Sequence, residues 1–320
     1  MSNYKTIYCF NDITNEAKIL GPNNKFLKII EDYYHEEILV RFSEVKILED
    51  SKNEQIISLF FETLEIISDN KADINEIDIV SILNNLQPDN YQAIIKLYQK
   101  KDILLTTING KVIYPRTISQ KIYIDSLNSS DIVFAVGPAG TGKTYLGVMY
   151  AVSQLKANAI RKIVLVRPVV EAGEKLGYLP GDLKEKIDPY LIPLYDSLND
   201  ALGKEQVDKM IEKGIIEIAP LAYMRGRTLE NSLIILDEAQ NTSLSQMKMF
   251  LTRLGYESKM IVTGDITQID LPNKNSSGLI QALNILAGID RIKMIRFNKH
   301  DVMRHPLVQK IIERYDEYGN

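Results

Sequence analysis

Several stretches in the carboxyl-terminal two thirds of the chain are nearly continuous runs of β-branched apolar residues: IVFAV within 131–136, KIVLV at 162–166, SLIIL ending at Leu236, and KMIVT at 259–263. They lack the apolar/polar alternation of a half-exposed strand, so they predict parallel strands covered on both faces. Shorter runs at 215–218 and 292–297 extend the series, and helix-forming segments separate the members. The pattern predicts an α/β fold, a doubly wound parallel sheet whose ligands bind beyond the carboxyl ends of its strands.

The amino-terminal third reads differently. Residues 1–16 are polar and weakly patterned, a tail or a short edge strand. From Ala17 the run AKIL reads as a strand, Gly21-Pro22-Asn23-Asn24 as a turn, and the segment carrying Phe26, Leu27, Ile29 and Ile30 as an amphipathic helix. Two β-rich stretches follow at 37–42 and 44–48, then a helix over 53–67 with Ile56, Ile57, Phe60, Leu64 and Ile67 on one face. Together these make a small α/β module over about 17–67. Helical stretches at 74–86 and 91–100 and the hydrophilic 106–115 read as connector, with Asn109-Gly110 forming a tight hairpin turn. The predicted division is an amino-terminal region, 1–108, and a second domain, 109–320.

Composition narrows the function classes. With 45% apolar and 25% charged residues, the chain has an ordinary globular make-up. A single cysteine, Cys9, rules out an internal disulfide framework, and three scattered histidines offer no zinc spacing, which together point to a reducing cytoplasm. Cys9 is expected to be a small core residue. No apolar run reaches the ~18 residues of a membrane span. The net charge of −4 is uneven: residues 1–110 hold 11 Lys+Arg against 18 Asp+Glu, a net −7, leaving +3 for the rest. A nucleic-acid grip therefore belongs more naturally to the second part.

The chemistry centres on DIVFAVGPAGTGKTY, residues 131–145. It contains G-x-x-x-x-G-K-[ST] between a strand and a helix, the context a nucleoside triphosphate loop requires. Gly137, Pro138, Ala139, Gly140, Thr141 and Gly142 would wrap backbone amides around the α- and β-phosphates at a helix start, next to Tyr145 in the first helical turn. Lys143 would reach the β- and γ-phosphates, and the Thr144 hydroxyl would ligate Mg²⁺.

Two further strand ends deliver polar groups to the same edge. After SLIIL come Asp237, suited to the metal, and Glu238, suited to orienting the attacking water. After KMIVT comes Thr263-Gly264-Asp265-Ile266-Thr267-Gln268, whose Gln268 could sense the γ-phosphate. Gln120, in PRTISQ, carries an amide that could pair with a donor and an acceptor on adenine and so prefer ATP to GTP.

PRTISQ, GPAGTGKTYL, RPVVEAGEKLGYLPGDLKEKIDPY, AYMRGRTLENSLIILDEAQN, TGDITQIDLP and DVMRHPLVQKI follow in this order over residues 115–311. The set resembles the PhoH family of ATPases. The resemblance implies a P-loop NTPase core of the RecA-like type, similar to the first domain of superfamily-one helicases. It implies ATP hydrolysis with Mg²⁺ and the roles given above for Gln120, Gly140–Thr144, Asp237, Glu238 and Gln268. The amino-terminal module resembles the KH-like domain of such proteins, although Asn24 stands where a GxxG loop has its second glycine and the module is acidic.

In related helicases the loop after the second core strand touches single-stranded nucleic acid. Here that loop offers Arg167, Lys175 and Tyr178, unless it serves instead to stabilise an oligomer. With no second helicase domain to supply a charge-neutralising arginine, Arg227 and Arg304 rank above Arg225, and a homo-oligomeric ring, a hexamer in the family, would let one subunit complete the next. The family's expected partners are single-stranded RNA and the endoribonuclease YbeY, and no intrinsic nuclease is expected. Two other readings stand beside RNA-coupled ATP hydrolysis: a nucleotide-switched scaffold, and, less favoured, a small-molecule kinase.

Overall fold

The computed structural model describes residues 3–69, 74–168, 183–272, 276–304 and 306–319. The chain divides into two compact units, one of residues 1–102, 115–118 and 303–320, the other of 103–114 and 119–302.

The first unit opens with β1 (Tyr4–Cys9), α1 (Ile13–Leu20), α2 (Lys25–Tyr34), β2 (Leu39–Arg41), β3 (Glu44–Leu48) and α3 (Glu54–Asp69). Its sheet is antiparallel in the order β1-β3-β2. The module thus begins at Tyr4 and not at Ala17, and AKIL is helical. Asp12 accepts from the Thr14 amide at the helix start, and the turn it caps runs straight through AKIL, burying Asn15, Ile19 and Leu20. Cys9 is exposed, contrary to its expected place in the core. Cys9 ends the edge strand β1, past a register shift between Thr6 and Tyr8, whereas Phe10 after it is 7% exposed. The helices α4 (Glu76–Asn85) and α5 (Tyr91–Gln99) follow, with Arg116 paired to the buried Asp78.

The second unit starts with the hairpin β4 (Leu105–Thr106) and β5 (Val112–Ile113), which turns at Gly110 with φ +77°. Then come α6 (Ile118–Ser129), β6 (Ile132–Val136), α7 (Lys143–Lys156), β7 (Lys162–Arg167), α8 (Leu183–Leu202), α9 (Lys204–Glu212), β8 (Ile216–Pro220), β9 (Ser232–Leu236), α10 (Leu244–Leu251), β10 (Lys259–Gly264), α11 (Gly278–Ile285) and β11 (Ile292–Arg296). The last helix, α12 (Pro306–Gly319), groups with the first unit.

Six strands form one sheet, parallel throughout, in the order β11-β6-β10-β9-β7-β8. Alternation divides each inner strand between two cores. Val133, Ile163, Leu165, Leu233, Ile235 and Ile261 pack with Tyr123, Leu146, Met149, Leu194 and Leu198 on one face. Phe134, Val164, Val166, Ile234 and Val262 pack with Met247, Phe250, Leu279 and Ala282 on the other. Burial of each such side chain is worth roughly 1.5–3 kcal/mol, which explains why the middle of each run is apolar and its polar residues, Lys162, Ser232, Lys259 and Thr263, stand near the strand ends.

Register fixes the site. Gly264 pairs with Val136, so β6 and β10 end together, while β9 stops at Leu236 opposite Val262, two residues short of them, and the three outgoing loops share one edge.

Candidate active site

The loop from β6 to α7 is built around two glycines. A Cβ on Gly137 would lie 2.5 Å from the Phe297 carbonyl oxygen, so only glycine lets the loop leave β6 at this point. Gly142 caps α7 in the left-handed region, φ +78° and ψ 7°, and so turns the chain into the helix with its first amides presented to the loop. Lys143, 8% exposed as a residue, donates through its ammonium to the Pro138 carbonyl at 3.0 Å, which curls the side chain over its own loop. Thr141 Oγ1 donates to the same carbonyl at 3.1 Å.

Two α6 residues brace the loop from beneath. Gln120 Nε2 donates to the Thr141 carbonyl at 3.1 Å, and the Tyr123 hydroxyl to the Lys143 carbonyl at 3.2 Å. Burial pushes the Tyr123 phenol up, so it stays a neutral donor. Tyr145 lies beside the loop with its hydroxyl bonded to Asp200, and Lys111 of the β4–β5 hairpin reaches both.

Thr144, Asp237 and Thr263 form a tight cluster at the shared strand edge. Asp237 Oδ1 accepts from Thr144 Oγ1 at 2.6 Å and from Thr263 Oγ1 at 2.7 Å, and the two hydroxyls are 3.2 Å apart. Asp237 is 6% exposed. The donors are all oxygen, as a hard divalent cation requires. Among the described residues no group of three His, Cys, Asp or Glu could hold a metal. Mg²⁺ takes one or two protein oxygens and completes its shell with waters and substrate phosphates. At the end of β10, Asp265 Oδ2 is buried with no hydrogen-bond partner, an acceptor able to receive a water of a hydrated ion. Thr144 and Asp237 are the residues that would hold the metal.

Glu238 follows in a left-handed backbone conformation, φ 52° and ψ 37°. Its Oε1 accepts from Arg167 Nη2 at 2.9 Å and its Oε2 from Gln240 Nε2 at 2.6 Å. Gln240 also donates to the Gln268 carbonyl at 3.1 Å and accepts from the Asp265 amide at 3.1 Å. Asn241 repeats this link to Asp270, with bonds of 3.2 and 2.9 Å. The acidic turn after β9 and the glutamine-bearing turn after β10 are therefore held as one piece.

The structure gathers Gln120, Gly137 to Tyr145, Asp237, Glu238 and Gln268 at one sheet edge. Arg167 turns its guanidinium to Glu238, while Lys175 and Tyr178 lie outside the described residues. Arg227 has a partner that its sequence neighbourhood does not suggest. Glu217, on β8, grips it at 2.6 and 2.8 Å, and Lys162 joins at 2.8 Å. Arg225 is exposed on the turn after Met224 and makes no ion pair among the described residues, and Arg304 is half-buried in the first unit. Sequence reasoning missed Gln240 and Thr263. The DEAQ and VTGD strings contain them, but only the adjacency of β9 and β10 reveals their work.

The model for the family described as PhoH-like protein matches residues 112–316. The PhoH-like protein of Bacillus subtilis (strain 168) is 48% identical over 299 residues, 93% of either chain. The PhoH-like protein of Mycobacterium tuberculosis (strain H37Rv) is 56% identical over 209 residues, covering 65% of this chain and 59% of its own. Protein PhoH of Escherichia coli (strain K12) is 37% identical over 276 residues, 86% of this chain and 76% of that one. Among solved structures, the Sulfolobus solfataricus SWI2/SNF2 ATPase core in complex with dsDNA shares 15% identity at a TM-score of 0.30, over 57% of this chain and 44% of that chain, a likeness too slight to carry an argument. A family match across the whole phosphate-loop domain, and a relative nearly half identical over almost the full length, place this nucleotide-binding NTPase in the PhoH-like protein family.

Proposed function

We propose that this chain hydrolyses ATP with Mg²⁺ and couples turnover to binding or remodelling single-stranded RNA. The observation that carries the hydrolytic part is the division of labour between adjacent carboxylates. Asp237 is buried and tied to the Thr144 hydroxyl of the phosphate loop, while Glu238 is partly open and oriented by Arg167 and Gln240. Lys143 and the first amides of α7 hold the phosphates. Glu238 accepts the proton of the attacking water, which breaks the bond between the γ-phosphorus and its bridging oxygen and releases ADP and phosphate. The Gln240 bridge carries the state of the γ-phosphate side, at Gln268, to Glu238. Mg²⁺, when bound, neutralises charge developing on the phosphate oxygens. Gln120, anchored at the loop, favours adenine through its amide.

Support for RNA comes from the Gly21–Asn24 turn. Gly21, Asn23 and Asn24 hold φ of 71°, 54° and 56°, so Asn24, at the place of the second glycine of a GxxG loop, holds a positive φ that glycine adopts without strain. A second reading, a nucleotide-switched scaffold for a protein such as an endoribonuclease, is favoured by the net −7 of residues 1–110. For the missing arginine, the commitment of Arg227 to Glu217 leaves exposed Arg225 as the better donor to a neighbour in a homo-oligomeric ring. Phosphate release from ATP, with and without Mg²⁺ and poly(U) RNA, tests these readings. RNA-coupled hydrolysis predicts Mg²⁺-dependent turnover that rises with RNA, a scaffold predicts turnover indifferent to RNA, and no phosphate release under any condition would refute both.

A further inference from the structure

Both oxygens of the Glu238 carboxylate are engaged, one by Arg167 at 2.9 Å and one by Gln240 at 2.6 Å. Gln240 is anchored to the Gln268 carbonyl and the Asp265 amide, so it is a fixed point. Arg167 is the last residue of β7, where its backbone pairs with Pro220, and its side chain is 19% exposed against 37% for Glu238. β7 lies on the side of β9 away from β10 and β6. At ~4.8 Å per strand it is about 14 Å from the phosphate-loop strand, and Glu238 stands between the guanidinium and the nucleotide side.

The geometry points to Arg167 as a positioning residue for hydrolysis: it fixes the Glu238 carboxylate against the Gln240 amide, acting through Glu238 without touching the reacting atoms. This inference rests on the ATPase reading above. A glutamate more than a third exposed, on a left-handed backbone, would sample several rotamers if it lost either donor. A general base misplaced by about 1 Å can lose about 100-fold in rate. Each oxygen keeps lone pairs when it accepts a single bond, so the clamp leaves Glu238 able to take a proton from water. The assignment differs from a nucleic-acid contact at Arg167, which would change RNA affinity and leave RNA-free turnover alone.

The test is a cycle of the full-length parent, Arg167→Ala, Glu238→Gln and the double variant, read by Mg²⁺-dependent ATP hydrolysis without nucleic acid. Enzyme in excess makes slow variants measurable, and binding of a fluorescent ATP analogue is followed alongside. We expect Arg167→Ala to lower the maximal rate about 10- to 100-fold with nucleotide affinity within about 2-fold. Arg167→Lys should recover part of the rate, and Arg167→Ala should cost under about 2-fold in the Glu238→Gln background. Parent-like turnover by Arg167→Ala, an equal fold loss in both backgrounds, or weakened poly(U) binding with unchanged turnover would overturn the assignment. If Glu238→Gln itself hydrolyses ATP like the parent, the ATPase reading fails instead. Arg167→Gln, which keeps a donor without the charge, replaces Arg167→Ala if thermal melting shows that variant unfolded.

Discussion

The Thr144 hydroxyl donates to Asp237 Oδ1 across 2.6 Å, joining residues 93 positions apart in the chain. One belongs to the helix after β6, the other to the turn after β9, and β10 between them contributes Thr263 to the same carboxylate oxygen at 2.7 Å. The insertion of β10 between β6 and β9 is thus what assembles the cation side of the site. Thr144→Val should abolish Mg²⁺-dependent turnover, and Thr144→Ser should keep it. Thr263→Val, which strips one bond from a buried carboxylate, should cost about 1–3 kcal/mol of stability and raise the Mg²⁺ concentration needed for half-maximal turnover. Titration of phosphate release against Mg²⁺, beside thermal melts, checks both.

Lys143 is buried and bonded to the Pro138 carbonyl of its own loop, so its charge is held where phosphates would sit. Lys143→Ala should leave the melting temperature within a few degrees of the parent while nucleotide affinity and turnover fall, turnover by about 100-fold or more. Normal hydrolysis by the folded variant would break the phosphate-loop assignment.

Gly137→Ala should fail for a steric reason. The added Cβ would lie 2.5 Å from the Phe297 carbonyl oxygen and 2.7 Å from the Phe297 Cβ, between two adjacent strand ends with no room to part. We expect a loss of about 1–3 kcal/mol in chemical denaturation and weaker nucleotide binding. An alanine variant as stable as the parent would contradict the close approach of the β6 and β11 loops.

Glu217 makes a pH prediction. Its bonds to Arg227 and Lys162 hold its carboxyl at about 2, well below its ordinary 4.5. A carboxylate depressed on folding stabilises the protein above its unfolded value, and that stability is lost as pH falls toward the folded value. Between about pH 4.5 and 2 the parent should therefore lose stability more steeply than Glu217→Gln, with the two curves parallel above pH 5. Denaturation midpoints across this range measure the difference.

If a neighbour supplies the missing arginine, a mixture should reveal it. Arg225→Ala subunits lack the donor and Lys143→Ala subunits lack the phosphate grip, yet mixed rings would contain some complete sites. Turnover by the mixture above the sum of its parts is the expected result, and strict additivity would make the site self-contained.

The parallel strands were legible because burial on both faces removes polar residues, leaving runs such as IVFAV and SLIIL that little else produces. The phosphate loop and Asp237-Glu238 were legible because their chemistry is local in sequence. AKIL misled because four residues cannot separate a strand from a helix, and the deciding signal, the Asp12 cap, lies upstream. Cys9 misled because residue type alone does not reveal a place at the end of an irregular edge strand. Arg167 was legible as a cation but not as a partner of Glu238, and Arg227 concealed its tie to Glu217, since both pairs depend on which strands lie side by side.

Paired measurement of ATP binding and phosphate release on the parent and Glu238→Gln tests the central claim most directly. We predict that both bind Mg²⁺-ATP with similar affinity while phosphate release by Glu238→Gln falls about 100-fold or more. Equal release by the two proteins would contradict the assignment of Glu238 as the base and, with it, the hydrolytic site described at this sheet edge.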